Sequence, residues 1–322
     1  MQILTHAQVK SLRQLHHTKG IVEQGLFLLE GEHLVEEAHA GGYPLECIIA
    51  TRGYAEAMPR GGADTAPRAC AEAMACGGAH DTPPVYLATS EQMERICDTI
   101  TPQGVCAVAK LPCVGWGDVL QEPRVGGSAN LQAARVLVFD GLQDPGNIGT
   151  LVRTAEAAGF SAVVAVGGAY PWQPKAVRAS MGSVLRMPMM HVSGMSEAQV
   201  RGMSGMHAIA APEAQAFTMS EAQGSAMPEA QAAGMHEVLE RLRAGGFSLW
   251  AMALGHPNFF AQTETPDRLA LFIGSEAHGV SRSVMDCASL FSLPMAGAVE
   301  SLNAAAAGAI CMYEIFRRKP CN

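Results

Sequence analysis

Apolar positions in this chain follow two rhythms. Short, nearly unbroken runs at Arg135–Phe139, Ala162–Val166 and Leu269–Ile273 are bounded by Gly, Pro, Asp or Asn and read as buried strands. After Asp140 the apolar spacing changes, and Pro145, Gly146 and Gly149 punctuate a strand-to-helix transition. The stretch Ala304–Phe316 carries many helix formers and no Pro, so it predicts a helix. Strand, helix, strand between Arg135 and Val166 predicts an α/β domain on a parallel sheet, with its active loops at the C-terminal strand edges. Nearer the start, Val9–Gly42 opens as a helix, passes through the strand-like LFLLE and continues into a second helix.

A length of 322 residues accommodates two cores. The expected division is a first domain at 1–110, a Gly- and Pro-punctuated linker at 111–131 and a second domain at 132–322. Two stretches read as insertions, 52–84 and 193–234. The second is rich in Ala, Met, Gln, Gly and Glu and repeats SEAQ or PEAQ from Ser196, Pro212, Ser220 and Pro228, which marks local duplication with little power to form a core.

Composition removes several classes of function. With 22 Lys and Arg against 30 Asp and Glu, the net charge of −8 argues against indiscriminate nucleic-acid binding. Local cations remain at Lys10, Arg13 and Lys19, and again at Lys175, Arg178 and Arg186, where phosphate contacts are feasible. Nine cysteines form no CxxC pair and read as reduced thiols, and the histidines show no HExxH spacing, so no metal is expected. Neither GxGxxG nor GxxxxGK[ST] occurs, which weakens the dinucleotide and P-loop readings. No secretory core or membrane-length apolar run is present, and the cytoplasm is the expected compartment.

The candidate chemistry lies in LFIGSEAHGVS (Leu271–Ser281) and LPMAGAVESLNAAAAGAICMYE (Leu293–Glu314). Gly274 and Gly279 allow close backbone approach, and Ser275, Glu276, Ser301 and Asn303 add polar groups beside exposed peptides, an inventory suited to an adenosine-like ligand. A tight turn and a core helix account equally well for either segment alone. Upstream, Asn147 and Arg153 flank a helix start, where capping and solvated roles are common.

Taken together, NxGxxxRT (Asn147–Thr154), GSEAHG (Gly274–Gly279) and PMAGxVESLNxAxA from Pro294 resemble the three ordered motifs of the SpoU, or TrmH-like, RNA ribose methyltransferases of the SPOUT superfamily. KAVRASMGSVLRMP (Lys175–Pro188) extends the likeness, and QGVCAVA (Gln103–Ala109) carries it into the N-terminal part. Gly20 and Ile21 stand where the family pattern has a second basic residue. The resemblance implies a C-terminal SPOUT domain with a deep trefoil knot around a parallel sheet, preceded by a smaller L30e-like α/β RNA-binding domain. It implies S-adenosyl-L-methionine as methyl donor, with Gly274, Ser275, Glu276, Gly279, Leu293, Met295, Ser301, Leu302 and Asn303 as its contacts and Leu293 and Leu302 bracketing the adenine. It further implies a homodimer, structured RNA as partner with ribosomal RNA preferred, and contacts from Lys10, Arg13, Lys19, Asn147, Arg153, Lys175 and Arg178. Arg153 is the implied catalytic residue, with Asn147, Glu276, Ser301 and Asn303 completing the catalytic set. A guanidinium with a pKa above ~12 acts more readily by electrostatic positioning than as a free base. A transfer-RNA ribose methyltransferase and an inactive RNA-binding SPOUT protein are the alternatives.

Overall fold

The computed structural model describes residues 2–57, 83–121, 134–192 and 229–319. Most of both expected insertions and much of the expected linker lie outside the described residues. The chain divides into two units: Met1–Pro112 with Trp172–Leu185, and Cys113–Pro171 with Arg186–Asn322.

The first unit is built on a five-stranded mixed sheet of β1 (Gln2–Ile3), β2 (Leu26–Glu30), β3 (Leu45–Thr51), β4 (Val85–Ala88) and β5 (Val105–Lys110) in the order β1-β4-β3-β5-β2. β1 and β3 run parallel to β4, whereas β5 is antiparallel to both β3 and β2. Its helices are α1 (His6–Arg13), α2 (Thr18–Gln24), α3 (Glu32–Ala40), α4 (Arg52–Ala57) and α5 (Ser90–Ile96). Reciprocal capping boxes start α1 and α5: Thr5 pairs with Gln8, and Thr89 with Gln92. α2 ends on left-handed Gly25 at φ 63°. The departure from the family pattern at Gly20 and Ile21 has a steric reason. Both are buried, and a Cβ on Gly20 would lie 2.1 Å from the Gln14 carbonyl oxygen, so a basic side chain has no room there.

The segment 172–185 supplies α8 (Pro174–Ser180) to this first unit, where it packs on β2. This corrects the expected boundary, which put Lys175 and Arg178 beside the sheet of the second domain. The cause is ionic: Arg178 donates to Glu30 Oε2 at 2.9 Å and to Asp98 Oδ2 at 2.8 Å. Glu30 is buried, and it also accepts the backbone N–H groups of Asp98 at 2.8 Å and Thr99 at 3.2 Å. A buried carboxylate requires this degree of compensation.

The second unit holds a six-stranded, all-parallel sheet: β6 (Ala134–Asp140), β7 (Ala162–Val166), β8 (Met189–Val192), β9 (Ser248–Met252), β10 (Arg268–Gly274) and β11 (Ser289–Phe291), in the order β11-β9-β10-β6-β7-β8. β6 and β7 are buried at every position, as strands covered on both faces must be. One face carries Val136, Val138, Val164, Ala270 and Phe272. It packs against α6 (Trp116–Leu120) and α10 (Glu229–Ala244) through Trp116, Val119, Met235, Val238, Leu239 and Leu242. The expected linker therefore gives up residues to the core, through Trp116 and Val119. Trp116 Nε1 donates to Glu237 at 3.1 Å, and Arg268 donates to the Leu120 carbonyl at 2.9 Å, fastening α6 in place. α10 likewise begins inside the stretch expected to be an excursion and buries Gly234 and Met235.

The opposite face holds α7 (Pro145–Ala157) and α12 (Ala304–Arg318), which pack against each other. Their approach depends on Gly308, where a Cβ would lie 2.4 Å from Leu151 Cδ2. Arg135, fully buried at the start of β6, donates to Ala158 O at 3.4 Å and to Lys319 O, the C-cap carbonyls of α7 and α12. A cation there meets the negative ends of two helix dipoles and the carbonyls that lack partners in the last turn. The short helices α9 (Ser183–Arg186) and α11 (Arg282–Met285) complete the set. Among the described residues, no helix is long and apolar enough to cross a membrane.

His191 on β8 lies edge-on to Tyr170, with ring centroids 5.0 Å apart, and burial lowers its pKa from 6.5 to about 4. Above pH 6.5 the ring is neutral in folded and unfolded chains alike; as pH falls towards 4 only the unfolded chain takes up the proton, so stability falls over that window. The urea midpoint should drop between pH 7 and pH 5 by the equivalent of roughly 1–2 kcal/mol from this group, and H191L should show a correspondingly shallower drop.

Candidate functional site

β6 and β10 lie side by side at the centre of the parallel sheet, in a register that sets Asp140 opposite Gly274. Both strands end there, and each gives way to a loop that must find partners for its peptides. Beyond Gly274 the chain folds back on itself. Ser275 N–H donates to Gly279 O at 3.0 Å and Gly279 N–H to Ser275 O at 2.9 Å, with Gly279 at φ 68°. A Cβ on Gly274 would lie 2.0 Å from the Gly279 carbonyl carbon, so only glycine lets this turn sit against the strand end.

The turn forms one wall of a cavity of about 680 Å³. The second wall is the stretch from Ser292 to Met295, and the third is Ser301–Ala304 leading into α12. All nine residues expected to contact a cofactor, Gly274, Ser275, Glu276, Gly279, Leu293, Met295, Ser301, Leu302 and Asn303, line this one space. Leu293 is 8% exposed and Leu302 40% exposed, so the former belongs to the core and the latter offers its side chain outward. Met252 and Leu254 at the end of β9, and Met285 on α11, also line the cavity. Sequence reasoning missed them because no motif marks the end of β9, and the only available signal was the adjacency of β9 to β10.

Polar side chains from three distant segments meet beside this cavity. Asn147 Nδ2 donates to Glu276 Oε1 at 2.7 Å, while Asn147 Oδ1 accepts from Asn303 Nδ2 at 3.1 Å. Gln143 N–H donates to Glu276 Oε2 at 3.3 Å. Asn303 also caps α12, its Oδ1 accepting from Ala305 N–H at 2.9 Å and Ala306 N–H at 3.2 Å. Asp144 caps α7 in the same manner through Gly146 N–H at 3.0 Å. The Glu276 carboxylate is thus bonded to a residue in the first turn of α7, and through Asn147 to the cap of α12; the positive ends of helix dipoles favour such a placement.

Other expected site residues fall elsewhere. Asn147 is 9% exposed, and its amide donates to Glu276 and accepts from Asn303. Arg153 is exposed on α7. Six positions of helix correspond to roughly 240° of rotation, so it leaves α7 on a different side from Asn147, and among the described residues its guanidinium has no hydrogen-bond or ionic partner. Lys10 and Arg13 are exposed on α1, and Lys19 lies 3.8 Å from Glu23. Lys175 is exposed on α8, and Arg178 is committed to Glu30 and Asp98. Among the described residues no cluster of three or more His, Cys, Asp or Glu could hold a metal ion.

Comparison with known proteins gives two family matches. The SpoU rRNA methylase family model matches residues 134–222 and 198–313, and the MRM3-like substrate binding domain matches residues 6–107. The 23S rRNA (guanosine(2553)-2'-O)-methyltransferase RlmP of Bacillus subtilis is 25% identical over 96% of this chain and 95% of its own length. An uncharacterized tRNA/rRNA methyltransferase of Synechocystis sp. is 28% identical over 97% of this chain and 91% of its own. In architecture the chain is similar to an AdoMet-bound rRNA methyltransferase from Sinorhizobium meliloti, with a TM-score of 0.68 at 23% identity, covering 99% of this chain and 97% of that one.

Two substitutions test the local geometry. N303A removes the acceptor for two orphan N–H groups and should lower stability by about 1 kcal/mol in urea unfolding. G274A forces a methyl group into the backbone of Gly279 and should lower it by roughly 1–3 kcal/mol; a wild-type midpoint for either would show that the turn or the cap is not held as described.

Proposed function

Because the chain belongs to the SpoU rRNA methylase family, we propose that it transfers the methyl group of S-adenosyl-L-methionine to a ribose 2'-hydroxyl in structured RNA, with ribosomal RNA as the preferred substrate. The observation that carries this reading is the convergence of three separated segments, 274–279, 293–295 and 301–303, on one cavity beside the Asn147–Glu276–Asn303 network. Peptide groups of the two loops supply donors and acceptors for the edge of a purine, Leu293 and Leu302 supply apolar surface, and the glycine-only contact at Gly274 lets the main chain form the wall. When bound, the donor supplies an electrophilic methyl group.

The protein's own part is alignment. A ribose hydroxyl is a weak nucleophile, and the barrier falls mainly through its placement in line with the reacting carbon. In this reading Arg153 binds the phosphate or ribose of the target nucleotide as a permanent cation, Ser301 donates a hydrogen bond to the ribose or to the donor carboxylate, and Asn147 holds Glu276 and Asn303 in position. Since Arg153 leaves α7 on a different side from Asn147, two copies are proposed to pair so that the arginine of one serves the cavity of the other. The exposed apolar residues of α12, Ile310 at 40% and Tyr313 at 50%, support an isologous contact.

The strand order supports the knotted topology. β11 lies at the sheet edge beyond β9, yet the following helix returns to pack on α7 and β10, so the stretch 292–303 recrosses the C-terminal ends of strands β9 and β10 near the turn 275–279. We read this as a trefoil knot of the SPOUT kind. The first unit, matched by a substrate-binding domain, is read as an L30e-like RNA-binding module that presents Lys10, Arg13 and Lys19. A preference for ribosomal RNA is supported by the reaction named for the Bacillus subtilis relative.

The decisive assay is transfer of labelled methyl from S-adenosylmethionine to separated ribosomal and transfer RNA, with nuclease digestion and mass spectrometry locating the modified ribose. Modification of transfer RNA alone would overturn the substrate preference, and donor binding without transfer to either fraction would indicate an inactive binder. R153A should bind S-adenosylmethionine normally by calorimetry and lose transfer by on the order of 100-fold; full turnover by R153A would remove this residue from the active set.

A further inference from the structure

Between α8 and α9, Met181 stands at φ 50° and ψ 45°, and among the described residues it is the one non-glycine with a positive φ. Its N–H donates to the Arg178 carbonyl at 3.1 Å just past the end of α8, where glycine is the usual residue for a left-handed turn. Here glycine comes one position later, at Gly182 (φ 87°). A long side chain in this region carries backbone strain that burial can offset. Met181, however, is 41% exposed. A strained residue that the core does not hold points to a use for the side chain itself.

A second apolar side chain is displayed on the same unit. Ile100 is 97% exposed in the loop 97–104 between α5 and β5. The loop is pinned on both sides of it: Glu30 accepts the N–H groups of Asp98 and Thr99, and Gln103 Oε1 accepts the Glu32 N–H at 2.9 Å. Asp98 Oδ2 also accepts from the Arg178 guanidinium at 2.8 Å. Ile100 lies two positions beyond Asp98 and Met181 three beyond Arg178, so this one ion pair ties together the two segments that present them. The guanidinium faces both Glu30 and Asp98, which lowers the repulsion an approaching phosphate would meet. Lys175 is exposed one turn earlier on α8.

We propose that Met181 and Ile100 are apolar contacts for an unstacked base of the RNA substrate, with Lys175 placed for its phosphate. RNA is favoured over a protein partner because both side chains belong to the compact unit whose residues 6–107 match a substrate-binding domain, and because a cation accompanies them. Bases turned out of a helix present flat apolar faces that side chains of this kind can cover. The inference rests on the reading of the protein as an RNA methyltransferase, and it adds a contact to a base to the contacts with phosphate.

The test is filter binding of the full chain to separated ribosomal and transfer RNA over a series of salt concentrations, with thermal melting and donor calorimetry on each variant. M181G and I100S should each weaken binding to the preferred RNA about fivefold, with donor affinity within about twofold of wild type. M181L keeps the apolar surface and should bind RNA within about twofold of wild type. Neither M181G nor I100S removes a phosphate contact, so the slope of log affinity against log salt should not change, whereas K175A should reduce it by about one. M181G should also melt about 1–3 °C higher than wild type, because glycine relieves the left-handed strain. A methionine kept only for the fold would not move stability and RNA affinity in opposite directions. If wild type binds neither RNA fraction, the reading as an RNA methyltransferase falls and the base contact with it. If wild type binds and both M181G and I100S bind as tightly, the base contact alone falls. Lost RNA binding together with a lower melting temperature in M181G would place Met181 in the fold and overturn its role as a contact, and an unchanged salt slope in K175A would remove the phosphate contact.

Discussion

The hydrogen bonds of one buried amide, Asn147, join segments that are 129 and 156 positions away in sequence, because its nitrogen donates to Glu276 and its oxygen accepts from Asn303. Without that amide, a carboxylate at the strand end and the cap of the last long helix would have no common partner. An asparagine is well suited to the position. It carries a donor and an acceptor without charge, so it can bridge an acceptor-only carboxylate and an amide donor at once. Aspartate would face Glu276 as a like charge, and a hydrophobic residue would leave both neighbours unsatisfied.

This bridge works because α7 and α12 are fixed relative to each other at both ends. At one end stand Asn147 and Asn303. At the other, the buried guanidinium of Arg135 takes the C-cap carbonyls of both helices. Between them Gly308 allows α12 to press against Leu151. A rigid helix pair braced in this way presents two N-termini at one sheet edge, and the loops between strands and helices can then be long and irregular without losing their geometry.

The sequence made the centre of the second unit legible and left its supports hidden. Strands β6, β7 and β10 stood out as unbroken apolar runs between turn residues, and the nine cavity residues stood out through glycine, serine and asparagine in ordered motifs. The supports depend on pairings that no local pattern records. Arg178 meets Glu30 across 148 positions, so a reading by contiguous stretches assigns α8 to the wrong unit. Trp116 and Val119 sit in a Gly-rich stretch whose composition says linker, and only their burial against α10 and the strands shows a helix. Local composition reports conformational preference, whereas these two cases turn on partners far along the chain.

The capture of residues 172–185 by the first unit has a consequence for the order in which the protein can be made. Glu30 is synthesised early, but the guanidinium that neutralises it belongs to α8, which leaves the ribosome only after β6, α7 and β7. Until then the nascent first unit has the Asp98 and Thr99 N–H groups for this carboxylate but not its cation, and β2 lacks the helix that packs on it. The N-terminal unit is therefore not a domain that folds to completion ahead of the rest. Its ionic contact at Glu30 can close only once residues 172–185, which follow the first strands of the second unit, have been translated.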